Sequence, residues 1–231
     1  MTPDALIAAI EATWPPARSW PLGPFTLRDG AGGGQRVAAA SVTGAFTGPQ
    51  LEAAIAAMSE PLFVLYPGDE ALDAALQARR YQRHDPVVAY GAPVALLTGE
   101  LPFLTAFPHW PPLEVARTVW AEGGIGPARL AVMDRAVGPK SAILARAGDR
   151  PAGACYVACD GPLAMVHAIE VRSAYRRQGA ARHLLRAAAN WAAEQGATSL
   201  ALFVTEKNIA ARALYASAGM TEVGRYHYRK P

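Results

Sequence analysis

The feature that most constrains the fold is the alternation of short apolar strands with amphipathic helices in the second half of the chain. From residue 113 to residue 228 the pattern predicts two helices and three strands, followed by helix, strand, helix and strand. This order corresponds to an α/β fold with a mixed sheet. The long helix, about Ala180 to Gln195, has an apolar face that would pack against that sheet.

The first half follows a similar but looser order. Thr2-Pro3-Asp4 is typical of a helix start, with a hydroxyl cap and a proline at the first helical position. Strands are predicted at Phe25–Arg28 and Gln35–Val42, joined by a glycine-rich loop. The remaining predicted elements are helix Gln50–Met58, strand Leu62–Tyr66, helix Asp69–Tyr81 and strand Val87–Tyr90.

Both predicted halves finish strand–helix–strand–helix–strand, which suggests two related modules in tandem. Residues 97–112 break the rhythm, because they contain several prolines and have no sustained period. We therefore predict a first module at 1–100, a linker at 101–112 and a second module at 113–231.

The most informative segment is residues 168–182, where a strand runs into a short loop and a helix begins at once. Backbone N–H groups at a helix start lack partners within the helix, and the helix dipole favours an anion there. Small residues at 179–181 would let a ligand approach the backbone. Taken alone, an ordinary strand–helix turn with solvated arginines explains the segment equally well. Five arginines accompany the loop: Arg172, Arg176, Arg177, Arg182 and Arg186.

Two motifs in this half resemble those of the GNAT acetyltransferase superfamily. Arg176-Arg177-Gln178-Gly179-Ala180-Ala181 is similar to the family's pyrophosphate loop, Arg/Gln-x-x-Gly-x-Gly/Ala. Downstream, the run from Asn208 to Tyr215 resembles the family's Asn-x-x-Ala-x-x-Leu-Tyr helix, and Gly219-Met220 stands where Gly-Phe is usual. The resemblance is clear over residues 113–228. It implies the GNAT fold and a catalytic second module.

In the first half, the turn Gly44–Gly48 occupies the corresponding strand–helix position but contains no basic residue. The resemblance therefore implies a degenerate GNAT-like first module without cofactor binding, which shapes the acceptor pocket or serves as a scaffold.

The resemblance implies acetyl-CoA as the cosubstrate and assigns roles to particular residues. Val171 would pair through its backbone with the pantetheine arm, and Asn208 would contact the pantetheine or cap its helix. Tyr215 would protonate the departing thiolate, although a core tyrosine with a satisfied hydroxyl is the structural alternative. The pyrophosphate would be bound by the loop residues Arg176, Arg177, Gln178, Gly179, Ala180, Ala181 and Arg182.

Glu170 is the first candidate for the general base that takes the proton from the attacking amine. It lies in an apolar strand, where burial makes a carboxylate a better proton acceptor. The alternative is a rim carboxylate that orients the amine or pairs with an arginine. His167 is the second candidate, and strict alternation predicts that it points to the same face as Ile169 and away from Ala168.

Composition and cysteine spacing limit the class of protein and its cellular location. With 52% hydrophobic and 18% charged residues, the chain is a well-cored globular protein. Cys155 and Cys159, four apart in a predicted strand, are too distant for a disulfide and have no metal-type spacing around them. No signal peptide or membrane span is evident, so we expect a cytoplasmic protein. The acetyl transfer implied by the resemblance requires no metal.

The resemblance to the GNAT superfamily implies an N-acetyltransferase that moves an acetyl group from acetyl-CoA directly to the primary amine of an unidentified acceptor. The first alternative is a sensor or scaffold that binds acyl-CoA without turnover. The second is nucleic-acid binding through the basic loop and the arginine-rich helix, which predicts a steep salt dependence and no preference for CoA. The net charge of +3 does not by itself decide for or against it. Membrane binding is not expected, and an oligomer is compatible with the sequence.

Overall fold

The computed structural model describes residues 1–231, which form nine helices and eleven strands. The helices are α1 (Pro3–Thr13), α2 (Gln35–Ala38), α3 (Gly48–Ala56), α4 (Glu70–Ala78), α5 (Val94–Leu97), α6 (Glu114–Glu122), α7 (Pro127–Arg135), α8 (Ala180–Glu194) and α9 (Ile209–Ser217). The strands are β1 (Arg18–Leu22), β2 (Phe25–Asp29), β3 (Ser41–Val42), β4 (Phe63–Leu65), β5 (Gln82–Pro93), β6 (Ala106–His109), β7 (Lys140–Ala147), β8 (Arg150–Asp160), β9 (Leu163–Val171), β10 (Ser199–Thr205) and β11 (Thr221–Lys230).

One eight-stranded sheet organises the molecule, in the order β4-β11-β5-β10-β9-β8-β7-β6. All neighbours are antiparallel except β9 and β10, which are parallel because α8 connects them as a crossover. The expectation of an α/β fold with a mixed sheet is confirmed. A second sheet, β1-β2-β3, belongs to the first half alone and adjoins β4 through a bridge from Ala40 to Phe63.

The two halves exchange strands within the large sheet. Both finish with the predicted order of strand, helix, strand, helix, strand. However, β5 of the first half lies between β10 and β11, and β11 of the second half lies between β4 and β5. Each half therefore completes the sheet of the other, and the division into modules at 1–100 and 113–231 stays a proposal.

Helices cover both faces of the sheet. On one face α8 buries Leu184 and Ala188 in a cluster that also takes Val88 from β5. On the other face α6 and α7 bury Trp120 and Met133, and α1 of the first half lies beside them. The first half also has a separate core around Phe25, Phe63 and Leu72.

Two predictions about local structure were wrong. Gln35–Val42 is not one strand, since Gln35–Ala38 forms a turn of helix and only Ser41–Val42 is extended. The preceding loop packs so closely on α7 that a Cβ on Gly33 would lie 2.5 Å from Val132, and Val37 is buried in the same cluster. This tertiary packing overrides the extended pattern.

The predicted linker at 101–112 contains strand β6, which pairs with β7 along the edge of the large sheet. Its proline, Pro108, is exposed, and an edge strand tolerates the missing N–H because one of its sides has no neighbour.

Most other predicted elements are confirmed to within a few residues, and Thr2 caps α1 as expected, accepting a hydrogen bond from the Ala5 N–H at 3.3 Å. Strand β1 was not predicted. Cys155 and Cys159 are buried and free. No helix has both the length and the apolar character needed to cross a membrane.

Candidate active site

A gap opens between β9 and β10 in the middle of the large sheet. The two strands pair only from Leu163 to Val166 on β9 and from Ser199 to Leu202 on β10. Beyond these residues β9 continues to pair with β8, and β10 continues to pair with β5 as far as Thr205. The carboxyl-terminal ends of two neighbouring parallel strands are therefore separated, which leaves unpaired backbone where an extended ligand could lie.

The gap begins where β9 bulges at Ala168. The register shifts here, so that Cys155 of β8 lies opposite both Ala168 and Ile169, and Ala168 has a φ of 51°. The bulge corrects the face predicted for His167. His167 contacts the α1 and α6 side of the sheet, with Ala168, whereas Ile169 packs on the α8 side. Strict alternation failed because the bulge adds one residue to the strand.

The predicted pyrophosphate loop has the geometry of an anion-binding site. Arg177 and Gly179 have φ values of 64° and 88°, and α8 begins immediately after them. The backbone N–H groups from Arg177 to Arg182 donate to no group in the protein, and no side chain caps α8. Exposed donors at a helix start attract phosphate.

The corresponding turn of the first half is built differently. Thr47 caps α3, accepting a hydrogen bond from the Gln50 N–H, while the Gln50 side chain accepts one from the Thr47 N–H at 2.8 Å. This capping box occupies donors that α8 leaves unpaired. The absence of cofactor binding at the Gly44–Gly48 turn stays a prediction.

Most of the arginines near the loop have partners. Arg172 forms a bidentate ion pair with Glu122, with both distances 2.8 Å. Arg182 donates to the Ser217 hydroxyl at 3.3 Å, and Arg186 donates to the Glu100 carbonyl at 3.2 Å. No carboxylate pairs with Arg177, Arg182 or Arg186, so the positive charge beside the loop is only partly neutralised.

Arg176 connects the loop to the end of β9. Its Nε donates to the Val171 carbonyl at 3.0 Å, and its Nη2 lies 3.4 Å from Glu170 Oε1. The Gln178 side chain donates to the Ala174 carbonyl at 3.0 Å, which closes the turn that precedes α8. The backbone oxygen of Val171, predicted to pair with a ligand, is therefore held by the loop itself.

Tyr215, on α9, reaches into the core beside the gap. Its ring lies 5.7 Å from that of Tyr90, and the residue is 5% exposed. Burial, with a smaller contribution from Cys155, raises the pKa of Tyr215 well above its ordinary value. Its hydroxyl has no hydrogen-bond partner in the protein and is not sealed from solvent. The hydroxyl is therefore neutral and has no acceptor within the protein, and its role as a proton donor stays a proposal.

Glu170 lies after the bulge, against the end of α6. A Cβ on Gly123 would lie 2.6 Å from Oε2 of Glu170, so the glycine makes room for this side chain. Its side chain is 21% exposed and its nearest cation is Arg176. Both proposed roles, a base or a rim carboxylate paired with an arginine, fit this position.

The other two candidates have structural partners. Asn208 caps α9, accepting a hydrogen bond from the Ala211 N–H at 3.1 Å, so the capping role is present. His167 is buried, and its two ring nitrogens lie 2.9 Å from Thr13 Oγ1 and 3.3 Å from Arg36 Nη1. Burial and Arg36 hold the pKa of His167 well below its ordinary value. A neutral imidazole with both nitrogens occupied is a poor general base.

A cavity of about 360 Å³ lies on the α1 and α7 side of the gap, opposite the pyrophosphate loop. It reaches Ala168 at the bulge and Thr205 at the end of β10. Sequence reasoning missed its main charged residue, Arg36, because nothing local to the glycine-rich loop predicts that α2 packs beside β9. No group of three or more His, Cys, Asp or Glu side chains in the structure is placed to bind a metal.

Comparison with known proteins agrees with this geometry. Residues 109–220 match the acetyltransferase (GNAT) family. A GCN5-related N-acetyltransferase from Kribbella flavida has 17% identity, covers 98% of this chain and 95% of its own, and superposes with a TM-score of 0.71. A tandem GNAT protein from the clavulanic acid biosynthesis pathway has 17% identity, covers 90% and 77%, and gives a TM-score of 0.59.

No curated protein matches the sequence. The tandem GNAT protein from the clavulanic acid biosynthesis pathway supports the expectation of a tandem arrangement. The loop geometry, the family match and the shared fold together identify residues 109–220 as an acetyltransferase domain of the GNAT family.

Proposed function

We propose that the protein transfers an acetyl group from acetyl-CoA to a primary amine by direct attack of the amine on the thioester. The observation that carries the proposal is the gap at the Ala168 bulge, which has an anion-binding loop on one side and a cavity on the other. A thioester in this gap could react with an acceptor in the cavity while the rest of the donor stays on the side of the loop.

On the donor side, the unpaired N–H groups from Arg177 to Arg182 would bind the pyrophosphate. Glycine is needed at position 179 for its positive φ. Val171 would offer its backbone to the pantetheine, and Arg176, which holds the Val171 carbonyl, would move toward the phosphates as the ligand enters.

On the reaction side, the amine nitrogen bonds to the thioester carbonyl carbon and the carbon–sulfur bond breaks. The proton lost by the nitrogen passes to Glu170, directly or through a water molecule. The departing thiolate takes a proton from the Tyr215 hydroxyl, which is free to donate because the protein supplies it with no acceptor. We assign the base to Glu170 rather than to His167, since both nitrogens of His167 have partners within the protein.

The decisive experiment is calorimetric titration of acetyl-CoA into the purified protein and two matched glycine variants. Gly179→Glu places a carboxylate in the loop and is expected to abolish binding. Gly44→Glu is the control, because Gly44, in the first-half turn, also has a positive φ, 80°, and a Cβ at this position would meet no atom within 4 Å. The control is expected to bind as tightly as the unaltered protein.

Release of free thiol on adding amines then separates turnover from binding. Tight binding without turnover would favour the sensor or scaffold. No binding to the unaltered protein would overturn the proposal. A cytoplasmic location stays a proposal on the sequence grounds given above.

A further inference from the structure

Arg36 lies in the acceptor-side cavity and has no carboxylate partner. Its Nε donates to the Tyr226 hydroxyl at 3.3 Å, and its guanidinium carbon lies 5.5 Å from the Phe203 ring. The other contact is with His167, which is neutral. A permanently charged guanidinium is therefore surrounded by neutral groups, although partly buried arginines ordinarily pair with an acid.

The protein holds Arg36 in place through a chain of hydrogen bonds. Arg36 donates to Nδ1 of His167, so the ring carries its proton on Nε2 and donates to Thr13 Oγ1. Thr13 in turn donates to the Ala9 carbonyl at 2.6 Å. His167 also stacks on Trp14 at 5.0 Å. These contacts make His167 a positioning residue for the Arg36 guanidinium. They hold the guanidinium in place in the cavity and leave its positive charge without a neutralising partner.

A second donor near Arg36 is also unsatisfied. The Tyr226 hydroxyl accepts hydrogen bonds from Arg36 and from the Tyr228 hydroxyl, the latter at 3.3 Å. Its own hydrogen has no acceptor in the protein. Arg36 Nη2 has no acceptor either, because Nε and Nη1 make the two hydrogen bonds of this guanidinium. Two neighbouring donor groups with free hydrogens are suited to an anionic oxygen group.

The charges lining the cavity favour the same ligand. Arg129 also lines it and forms no ion pair. The acid of the lining, Asp85, pairs with Lys207 at 2.9 Å and lies 3.2 Å from His84. The cavity therefore carries a net positive charge on the side of the gap that the acceptor would enter. Its volume of about 360 Å³ suits a small molecule.

We propose that the acceptor is a small amine that also carries an anionic group, a carboxylate or a phosphate, and that Arg36 binds this group. The inference rests on the proposed acetyl transfer and names its substrate class. Anchoring the anion on Arg36 would direct the amine toward Ala168 and the gap.

The test compares paired acceptors of which one carries the anionic group and the other does not, using the full chain, acetyl-CoA and a thiol-release assay. One arm pairs each L-amino acid with its amide, and the other pairs phosphoethanolamine with ethanolamine. The anionic member of at least one pair is expected to have a kcat/KM about 10- to 150-fold higher, which corresponds to one hydrogen bond to a charged group. The arm that shows this preference identifies the anion as carboxylate or phosphate.

Variants assign the preference to Arg36. Arg36→Met is expected to raise KM for the anionic acceptor with little change in kcat, and to remove the difference between paired acceptors. Arg36→Lys, which keeps the charge, is expected to retain part of it. Arg150→Met is the control, because Arg150 is exposed and forms no side-chain hydrogen bond. If Arg36→Met does not fold, the comparison of paired acceptors on the unaltered protein still decides.

The possible failures are distinguishable. If the protein does not bind acetyl-CoA, the proposed function falls. If it binds acetyl-CoA but acetylates neutral amines as fast as anionic ones, or acetylates no anionic amine in either arm, the inference about the acceptor is overturned. An anion preference that survives in Arg36→Met would overturn the role of Arg36.

Discussion

The indole N–H of Trp120 donates a hydrogen bond to the carbonyl oxygen of Ala168 at 2.8 Å. Trp120 is wholly buried on α6, and Ala168 lies at the bulge of β9 against β8, just beyond the last residue that pairs with β10. One hydrogen bond therefore ties a core helix to the strand position where the gap begins. Because a bulge is less constrained than a regular ladder, this bond fixes the orientation of the Ala168 peptide.

Trp120→Phe removes that donor while keeping an aromatic ring in the core. We expect a stability loss of about 1–3 kcal/mol, because the Ala168 carbonyl loses its partner. We also expect a lower kcat with nearly unchanged acetyl-CoA affinity, since the lost hydrogen bond is to Ala168 and not to a residue of the pyrophosphate loop. Urea unfolding and steady-state kinetics measure the two effects. Trp191→Phe is the control, because the Trp191 indole makes no hydrogen bond, and equal kcat losses in both variants would contradict the prediction.

Tyr215→Phe tests the proton donor. We expect kcat to fall by about 10²- to 10⁴-fold, the usual contribution of a general acid, with little change in stability. Stability should hold because the Tyr215 hydroxyl has no partner to lose. Tyr156→Phe should do the opposite, since its hydroxyl donates to the Met133 carbonyl at 3.2 Å on the other face. A Tyr215→Phe enzyme with unchanged kcat would remove Tyr215 from the mechanism.

Glu170→Gln tests the base. If Glu170 takes the proton from the amine, kcat should fall by about 10²-fold or more, and raising the pH should restore part of it by supplying uncharged amine. Glu122→Gln is the matched control, because Glu122 pairs with Arg172 beside the same loop. An effect of Glu170→Gln no larger than that of the control would assign Glu170 to the rim and leave the proton to water.

Two histidines with lowered pKa values, His167 and His109, predict a loss of stability in mild acid. Burial, and then Arg36, lowers the pKa of His167 well below 6.5, and burial lowers that of His109, whose ring nitrogens have no partner. The unfolded chain therefore binds protons near pH 6.5 that the folded protein does not bind. Stability should be full above this pH and should decline as pH falls below it, by at most about 1.4 kcal/mol per pH unit for His167.

Free energies of unfolding in urea at pH 8, 7, 6 and 5 measure this decline. His167→Asn and His109→Leu should each flatten it. The Asp73 carboxyl contributes in a separate window, because hydrogen bonding to Arg229 holds its pKa at about 2, so its contribution is lost only below pH 3.8. A stability that stays level from pH 8 to pH 5 would contradict the histidine prediction.

The strand exchange predicts that the halves depend on each other for folding. Without residues 1–93, β10 and β11 lose the strand that separates and pairs with both. We expect residues 94–231 expressed alone to lack a cooperative unfolding transition, and coexpression with residues 1–93 to restore it. Cooperative unfolding of the isolated fragment, followed by circular dichroism, would instead support independent modules.

Short-range sequence patterns were sufficient to predict the elements on the proposed donor side of the site. Helix caps, apolar periodicity and the glycine at position 179 are properties of neighbouring residues, so the loop from Arg176 to Ala181 and the helix bearing Tyr215 were predicted from the sequence with their elements. The match of two motifs in the right order then indicated the family. These features depend on a few consecutive residues, whose conformational preferences act wherever the chain places them.

The acceptor side depends on pairings that no short segment encodes. The bulge at Ala168 results from the register between β8 and β9, and it reversed the predicted face of His167. Arg36 reaches the cavity only because the glycine-rich loop packs on α7, nearly a hundred residues downstream. Strand β5 enters the sheet of the other half through its pairing with β10 and β11, which are also distant from it in the sequence. The sequence therefore determined the loop at which we propose that the donor binds, while long-range packing and strand register decided which side chains line the cavity proposed for the acceptor.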